Sequence, residues 1–150
     1  MNLKLSFSFS VPLIFGLLLS WSLVAQDMEL SIIGNPESVP DELRMSQIVS
    51  VLKGEKQQWD DGVSIKIALM KTSTSIGTTT CNKIYNMSAN ELNKYFLALV
   101  FQGKVKAPTF FNSISDLENY VAQTPGAIGV LQHTTGDLVK IVLIDGKKQI

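Results

Sequence analysis

Short apolar runs that suit buried strands alternate along this chain with apolar stripes that suit helices, and this alternation most limits its fold. Met28 to Gly34 is a compact apolar run closed by a Gly-Asn-Pro turn signal, and Val63 to Met70 alternates and is rich in β-branched residues. Two further strand patterns follow near the carboxyl end, at Gly126 to Gln132 and Asp137 to Asp145. With helices between them, this order predicts an α/β fold, a small mixed sheet flanked by helices.

Four helical segments are predicted among these strands. Apolar residues three and four apart mark the first over Met45 to Leu52. A hydroxyl-rich stretch opens the second, which runs to about Tyr85, and a Ser-x-x-Glu capping box starts the third at Ser88. The fourth is predicted to end at Thr124, because a proline follows. The segment between the third and fourth helices, residues 101–111, is predicted to be a loop.

The amino-terminal residues carry a different pattern. One positive charge in "MNLK" is followed by a run from Leu5 to Gln26 without any charged residue. A dense apolar core followed by "SLVAQD" is the layout of a secretory signal peptide, with Ala25 as the cleavage point. The uncharged run is also long enough to span a bilayer if it stays uncut. We therefore predict a signal peptide over residues 1–25 and a domain over residues 26–150 of a periplasmic or secreted protein, with an uncleaved anchor as the alternative.

Charge and cysteine content argue against several classes of protein. The 13 basic and 13 acidic residues give a formal net charge of zero, so nothing favours nucleic acid as a partner. Cys81 is the single cysteine, which leaves no intrachain disulfide and requires a hydrophobic core to hold the domain. No group of residues has metal-ligand spacing, so we predict neither a metal nor a cofactor.

The stretch Lys71 to Ile84, "KTSTSIGTTTCNKI", contains seven hydroxyl side chains between a predicted strand and a predicted helix. A helix N-terminus has unpaired N–H groups and a partial positive charge, and therefore attracts oxyanions. Ser75, Gly77, Thr78 and Thr79 are the candidate ligand-binding residues for phosphate or a similar group. The alternative is that the hydroxyl groups only cap the helix, which is the commoner use of serine and threonine at this position.

Residues that could support catalysis are isolated from one another. Cys81 could act as a nucleophile, but the single histidine, His133, lies in a different segment beside a Thr-Thr-Gly turn. A buried thiol and a loop imidazole are the commoner uses of such residues. Lys104 and Lys106 could contact an anion or could simply be solvated. We predict no catalytic residues, and an enzyme that uses Cys81 remains the least favoured hypothesis.

Three pieces of sequence carry a resemblance to a known family. They are "IVSVLKGEKQQWDDG" (Ile48 to Gly62), "STSIGTTTCNKIYNMS" (Ser73 to Ser88) and "SDLENYVAQTPGAIGVL" (Ser115 to Leu131). Together they resemble the phosphate-type substrate-binding proteins of ABC importers, which have the type 2 periplasmic-binding fold. The segment "TPGAIG", Thr124 to Gly129, matches that family residue for residue. The closer similarity is to short, single-lobe secreted relatives, about half the length of a full binding protein.

The resemblance implies one lobe of the type 2 periplasmic-binding fold and a binding role without catalysis. The Ser-Gly-Thr segment that binds the oxyanion in that family falls at Ser75 to Thr78, where Ile76 is an extra residue; Gly77 and Thr78 correspond best, and Ser75 and Thr79 less closely. The implied ligand is a small oxyanion such as phosphate, and the implied protein partner is a membrane permease or another envelope protein.

A single lobe limits what such a site can achieve. Because one lobe leaves the ligand exposed to water, the expected binding is weak or is completed by a partner or a second copy. The alternative is a protein-interaction module that keeps the fold and has lost the ligand. The inserted Ile76 supports that alternative.

Overall fold

A computed structural model describes residues 27–134 and 136–150, and the predicted signal peptide lies outside these residues. The strands are β1 (Ser31–Gly34), β2 (Glu42–Leu43), β3 (Lys66–Met70), β4 (Thr109–Phe111), β5 (Ala127–Leu131) and β6 (Lys140–Ile144). The helices are α1 (Met45–Leu52), α2 (Ser75–Thr80), α3 (Ala89–Phe101) and α4 (Ile114–Gln123), and α2 continues into a π-helical segment, Cys81–Tyr85. No helix among the described residues is long and apolar enough to cross a bilayer.

The strands form one mixed sheet in the order β2-β6-β1-β5-β3-β4. β3 pairs in parallel with β4 and β5, β2 pairs in parallel with β6, and β1 is antiparallel to both of its neighbours. Among the described strands, β1 therefore runs against the others. The carboxyl ends of β2 to β6 meet at one side of the sheet, which we call the carboxyl edge, and the opposite side is the amino edge. The predicted α/β class with a small mixed sheet is confirmed.

The sequence predicts four strands, whereas the structure describes six. β4 lies inside the segment 101–111, so the prediction that this whole segment is a loop is wrong. The three residues of β4 pair with Ala68 to Met70 of β3, and the two residues of β2 pair with the end of β6. Runs this short carry no detectable alternation, and only pairing with a neighbouring strand defines them.

The helix predictions agree more closely with the structure, because their signals are local. α1 occupies Met45–Leu52 as predicted, and α4 ends at Gln123 with Thr124 as its C-cap. The capping box of α3 is formed: the Ser88 N–H donates to Glu91 Oε2 at 2.7 Å, and the Glu91 N–H donates to Ser88 Oγ at 3.3 Å.

A continuous hydrophobic core joins the helices to the sheet. Leu117 and Val121 of α4 are completely buried, and α4 packs against the central strands. Tyr85, at the end of the π-helical segment, is 2% exposed, and its hydroxyl donates to the Leu52 carbonyl of α1 at 2.8 Å. Its ring meets the edge of Phe96 from α3 with centroids 5.8 Å apart. One buried tyrosine therefore ties together three helical segments.

Two of the three pieces of sequence that carry the family resemblance, Ile48 to Gly62 and Ser115 to Leu131, meet at the amino edge. The indole Nε1 of Trp59 donates to the carbonyl of Gly126 at 3.1 Å, and the Gly126 N–H donates to Ser38 Oγ at 2.7 Å. Gly126 has a φ of +78°, and a Cβ there would lie 2.2 Å from the Ser64 carbonyl oxygen. Both the backbone angle and the lack of space require glycine at this position. The "TPGAIG" segment is thus a scaffold element, on the opposite edge from the start of α2.

Candidate functional site

The candidate site lies at the carboxyl edge, where β3 ends and α2 begins. Thr74 is the N-cap residue of α2, in an extended conformation, and its Oγ1 accepts a hydrogen bond from the Gly77 N–H at 3.0 Å. The Thr74 hydroxyl donates to the Lys71 carbonyl at 2.7 Å, and the Lys71 N–H donates to the Phe111 carbonyl of β4 at 2.9 Å. Helix capping is therefore realised at Thr74, and the loop before α2 is fixed to β4.

Two of the predicted ligand-binding residues hold this loop in place. The Thr78 hydroxyl lies 3.0 Å from the carbonyl oxygens of both Thr72 and Thr74, so its proton is directed at the loop backbone. A Cβ on Gly77 would lie 2.0 Å from the Lys71 carbonyl oxygen. Glycine at position 77 thus allows the loop backbone to approach the helix, and the space that a side chain would take is filled by the Lys71 carbonyl rather than by a ligand.

The other two predicted residues have hydrogen-bonding capacity to spare. Ser75 is exposed and Thr79 is half-buried, and in the described part of the chain neither hydroxyl makes a hydrogen bond. The N–H groups of Ser75 and Ile76 likewise have no acceptor among the described residues. Because side chains on a helix tilt toward its N-terminus, a residue four positions later lies over the same turn. Ser75 and Thr79 therefore share one face of α2.

The charge around α2 differs from that around its neighbours at the carboxyl edge. The Met45 N–H at the start of α1 donates to Asp145 Oδ2 at 3.3 Å, and the first turn of α4 contains Asp116. Each of these helix N-termini therefore has a carboxylate close to its partial positive charge. The first turn of α2, Ser75 to Gly77, contains no acidic residue. Over residues 27–134 and 136–150, no carboxylate is bonded there.

Cys81 and His133 occupy different surroundings. Cys81 is 1% exposed inside the core, and this burial raises the pKa of its thiol. His133 is exposed in the segment that follows β5. A nucleophilic cysteine needs a lowered thiol pKa and access to substrate, so the environment of Cys81 does not favour catalysis. Groups of three or more potential metal ligands are absent from the described residues.

A cavity that the sequence did not predict lies at the amino edge. A cavity of about 230 Å³ opens there between the loops that follow α1 and α3. Three lysines lie around it: Lys56, Lys66 and Lys106. Of the two lysines that the sequence analysis noted in the segment 101–111, only Lys106 lies at this cavity, and Lys56 and Lys66 come from distant parts of the chain.

Comparison with known proteins was informative only at the level of structure. No protein-family model and no curated protein sequence matches the chain. Among solved structures, it is similar to a protein described as a phosphate ABC transporter substrate-binding protein from Clostridium perfringens, with bound phosphate, at a TM-score of 0.59 and 16% identity. It is also similar to an ABC-type phosphate transport receptor from Vibrio cholerae, at 0.59 and 17%, and to PstS from Borrelia burgdorferi, at 0.59 and 16%.

These matches cover most of this chain but only part of the other proteins. They include 79%, 81% and 79% of the chain in the order given, and 45%, 48% and 47% of the matched proteins. The chain thus spans about half the length of these neighbours. At this identity the likeness establishes the fold. The predicted resemblance to one lobe of a phosphate substrate-binding protein is confirmed at that level.

Proposed function

We propose that this chain is a secreted or periplasmic, non-catalytic protein that binds a small oxyanion, with phosphate as the first candidate, at the N-terminus of α2. The observation that carries the proposal is the pair of N–H groups of Ser75 and Ile76 at the carboxyl edge, which find no acceptor in the described part of the chain, with no acidic residue in that turn. The fold supports the same ligand class, since one structural neighbour was solved with bound phosphate.

The residues of the site divide into donors and supports. The N–H groups of Ser75 and Ile76 and the hydroxyls of Ser75 and Thr79 donate to the oxyanion. Gly77 and Thr78 support them by fixing the loop before the helix. The helix N-terminus supplies partial positive charge without a basic side chain. No residue acts as an acid or a base, so the ligand leaves chemically unchanged.

The exposure of Ser75 sets the expected strength of binding. Donors open to water exchange one hydrogen-bond partner for another, and each contributes only about 0.5–1.5 kcal/mol. The chain also spans about half the length of its structural neighbours. We therefore infer weak binding by this chain alone, strengthened when a second copy, a membrane permease or another envelope protein covers the carboxyl edge.

The substitution Ser75→Pro tests the site at its backbone. Ser75 is the first residue of α2 and follows Thr74 in an extended conformation (φ −91°, ψ 156°), and proline is tolerated at that position of a helix. The substitution removes one N–H and one hydroxyl while keeping the helix. Ala89→Pro is the matched control, because Ala89 is the first residue of α3 and follows extended Ser88.

The measurement is the thermal unfolding midpoint of the full chain with phosphate, sulfate or chloride at equal ionic strength. Phosphate at about ten times its dissociation constant stabilises the folded chain by about 1.4 kcal/mol, a shift of several degrees. We expect a phosphate-selective rise in the wild type and in Ala89→Pro, and none in Ser75→Pro. A rise that persists in Ser75→Pro would refute the assignment to α2.

One observation favours a second candidate, the protein-interaction module that has lost its ligand. Leu97, Val100 and Phe101 lie three and four residues apart on α3 and are 61%, 38% and 88% exposed. Large apolar side chains grouped on one exposed helical face are typical of a protein-contact surface. Equal, small midpoint shifts with every salt would favour this candidate over oxyanion binding.

A further inference from the structure

The cavity at the amino edge combines an apolar floor with charged walls. The beginnings of β3 and β4, the loops after α1 and α3, and Tyr120 of α4 line it. Ile67 and Val105 contribute apolar surface, and the Tyr120 ring lies beside them at the same cavity. An apolar floor with a few polar groups is the usual character of a small-molecule site.

The walls of this cavity are fixed by contacts between loops. The side-chain amide of Gln57 donates to the Lys104 carbonyl, which joins the loop after α1 to the loop after α3. The Ile65 N–H donates to the Gln57 carbonyl at 2.8 Å. A Cβ on Gly54 would lie 2.6 Å from Val105 Cγ1, so the two loops approach closely because residue 54 is glycine. The cavity is therefore formed before any ligand arrives.

The charged residues described around the cavity are all basic. Lys56, Lys66 and Lys106 lie around it, and among the described residues no acidic side chain lines it. Lys56 forms an ion pair with Asp60 at 2.7 Å, and the Asp60 side chain is 93% exposed. Lys66 and Lys106 have no ion-pair partner within residues 27–134 and 136–150. A ligand carboxylate that reaches these two ammonium groups would meet no competing carboxylate.

We propose that this cavity, the lysine pocket, binds a small amphipathic carboxylate, with its apolar body against Ile67, Val105 and Tyr120 and its carboxylate between Lys66 and Lys106. The volume of about 230 Å³ is below the roughly 300–1,000 Å³ of sites for drug-sized ligands. It therefore suits an aryl or branched-chain acid. Inorganic phosphate has no apolar body to fill the floor. The lysine pocket is thus distinct from the α2 site in both position and ligand chemistry.

The experiment titrates the isotope-labelled full chain with benzoate and follows backbone amide signals by NMR. Benzyl alcohol, which keeps the ring without the charge, and acetate, which keeps the charge without the ring, are the comparison ligands. We expect benzoate to shift the signals of Lys66, Val105 and Thr109 and to bind at least about tenfold more tightly than either comparison ligand, because each lacks half of the recognition.

Two double variants identify the charges. Lys66→Gln with Lys106→Gln should weaken benzoate about tenfold or more, whereas Lys147→Gln with Lys148→Gln, exposed lysines outside the pocket, should leave it unchanged. If the first double variant does not fold, the exposed single substitution Lys106→Gln should still weaken binding severalfold. Benzoate that binds no better than benzyl alcohol, or that shifts no signal around the pocket, would overturn the proposal. Inorganic phosphate should shift the signals of Ser75 and Ile76 instead, so failure at either site is detected separately.

Discussion

Replacing Gly77 by alanine would place a methyl group against the backbone of the loop that precedes α2. The added Cβ would lie 2.0 Å from the Lys71 carbonyl oxygen, 2.6 Å from the Lys71 carbonyl carbon and 2.9 Å from the Met70 carbonyl oxygen. These neighbours are backbone atoms, so no side chain can rotate out of the way. Either the loop or the start of α2 must move by about 1 Å to restore ordinary contact distances.

The cost follows from what moves with the helix. Ile76 is 7% and Thr80 3% exposed, and the helical path continues to Cys81, which is 1% exposed. Displacing α2 disturbs this part of the core, which places the overpacking cost near the upper part of its usual range, about 3 kcal/mol. Alanine recovers up to about 1 kcal/mol through its higher helix propensity. The net expectation is a loss of about 2–3 kcal/mol in the free energy of unfolding.

Urea unfolding at equilibrium measures this change. With an m-value of about 1.5 kcal/mol per molar urea, the midpoint should fall by about 1.5 M while the slope stays constant. Gly136→Ala is the matched control, because a Cβ at Gly136 would have no neighbour within 4 Å among the residues that the structure describes. If Gly77→Ala lowers the free energy of unfolding by less than about 0.5 kcal/mol, the Lys71 carbonyl does not lie close to Gly77. The supporting role of Gly77 would then be refuted as well.

Two further substitutions test other parts of the structure. Tyr85→Phe removes the hydrogen bond to the Leu52 carbonyl and should lower the free energy of unfolding in urea by about 1–2 kcal/mol. Burial also raises the pKa of Tyr85 well above its usual range. Wild-type stability should therefore fall as the pH rises through about 10, where the unfolded tyrosine ionises, and should fall less in the variant. Hydrogen bonds from Ser88 lower the pKa of Glu91, so the Glu91 carboxylate contributes stability above its unfolded pKa, and this stability is lost as the pH falls through the lower folded pKa. The unfolding midpoint of Glu91→Gln should therefore decline less steeply than that of the wild type between about pH 5 and pH 2. An equally steep decline would count against the capping box.

Signals confined to one helical turn made much of the fold predictable. The Ser88 and Glu91 pair placed the start of α3 correctly, because both partners lie three residues apart in sequence. The proline at position 125 similarly placed the end of α4. β2 and β4 could not be found this way, since each is defined by hydrogen bonds to a strand distant in the chain.

The helix start at the candidate site was predictable from the sequence, but the contacts of its individual residues were not. The density of hydroxyl groups indicated a helix N-terminus, and α2 begins at Ser75. Sequence could not show that Thr78 bonds to loop carbonyls, or that Gly77 accommodates the Lys71 carbonyl. Ile76, which departs from the family pattern, is 7% exposed and packs with the core. Its side chain therefore does not obstruct the exposed face of the helix.

The lysine pocket could not be predicted from the sequence. Lys66 starts β3, Lys106 lies between α3 and β4, and Tyr120 comes from α4. In sequence each of these looks like an ordinary surface or helix residue. Only the parallel pairing of β3 with β4 brings Lys66 and Lys106 to the same cavity.

The two outermost strands of the sheet are its shortest, and this bears on how the protein behaves at high concentration. β2 has two residues and β4 has three, and Pro108 stands directly before β4. A sheet edge with so few free backbone groups offers little template for an added strand, and a proline beside it removes one more donor. Fibril growth by edge-to-edge stacking is therefore disfavoured, and the longer, more aggregation-prone apolar strands β1 and β5 are kept in the interior of the sheet.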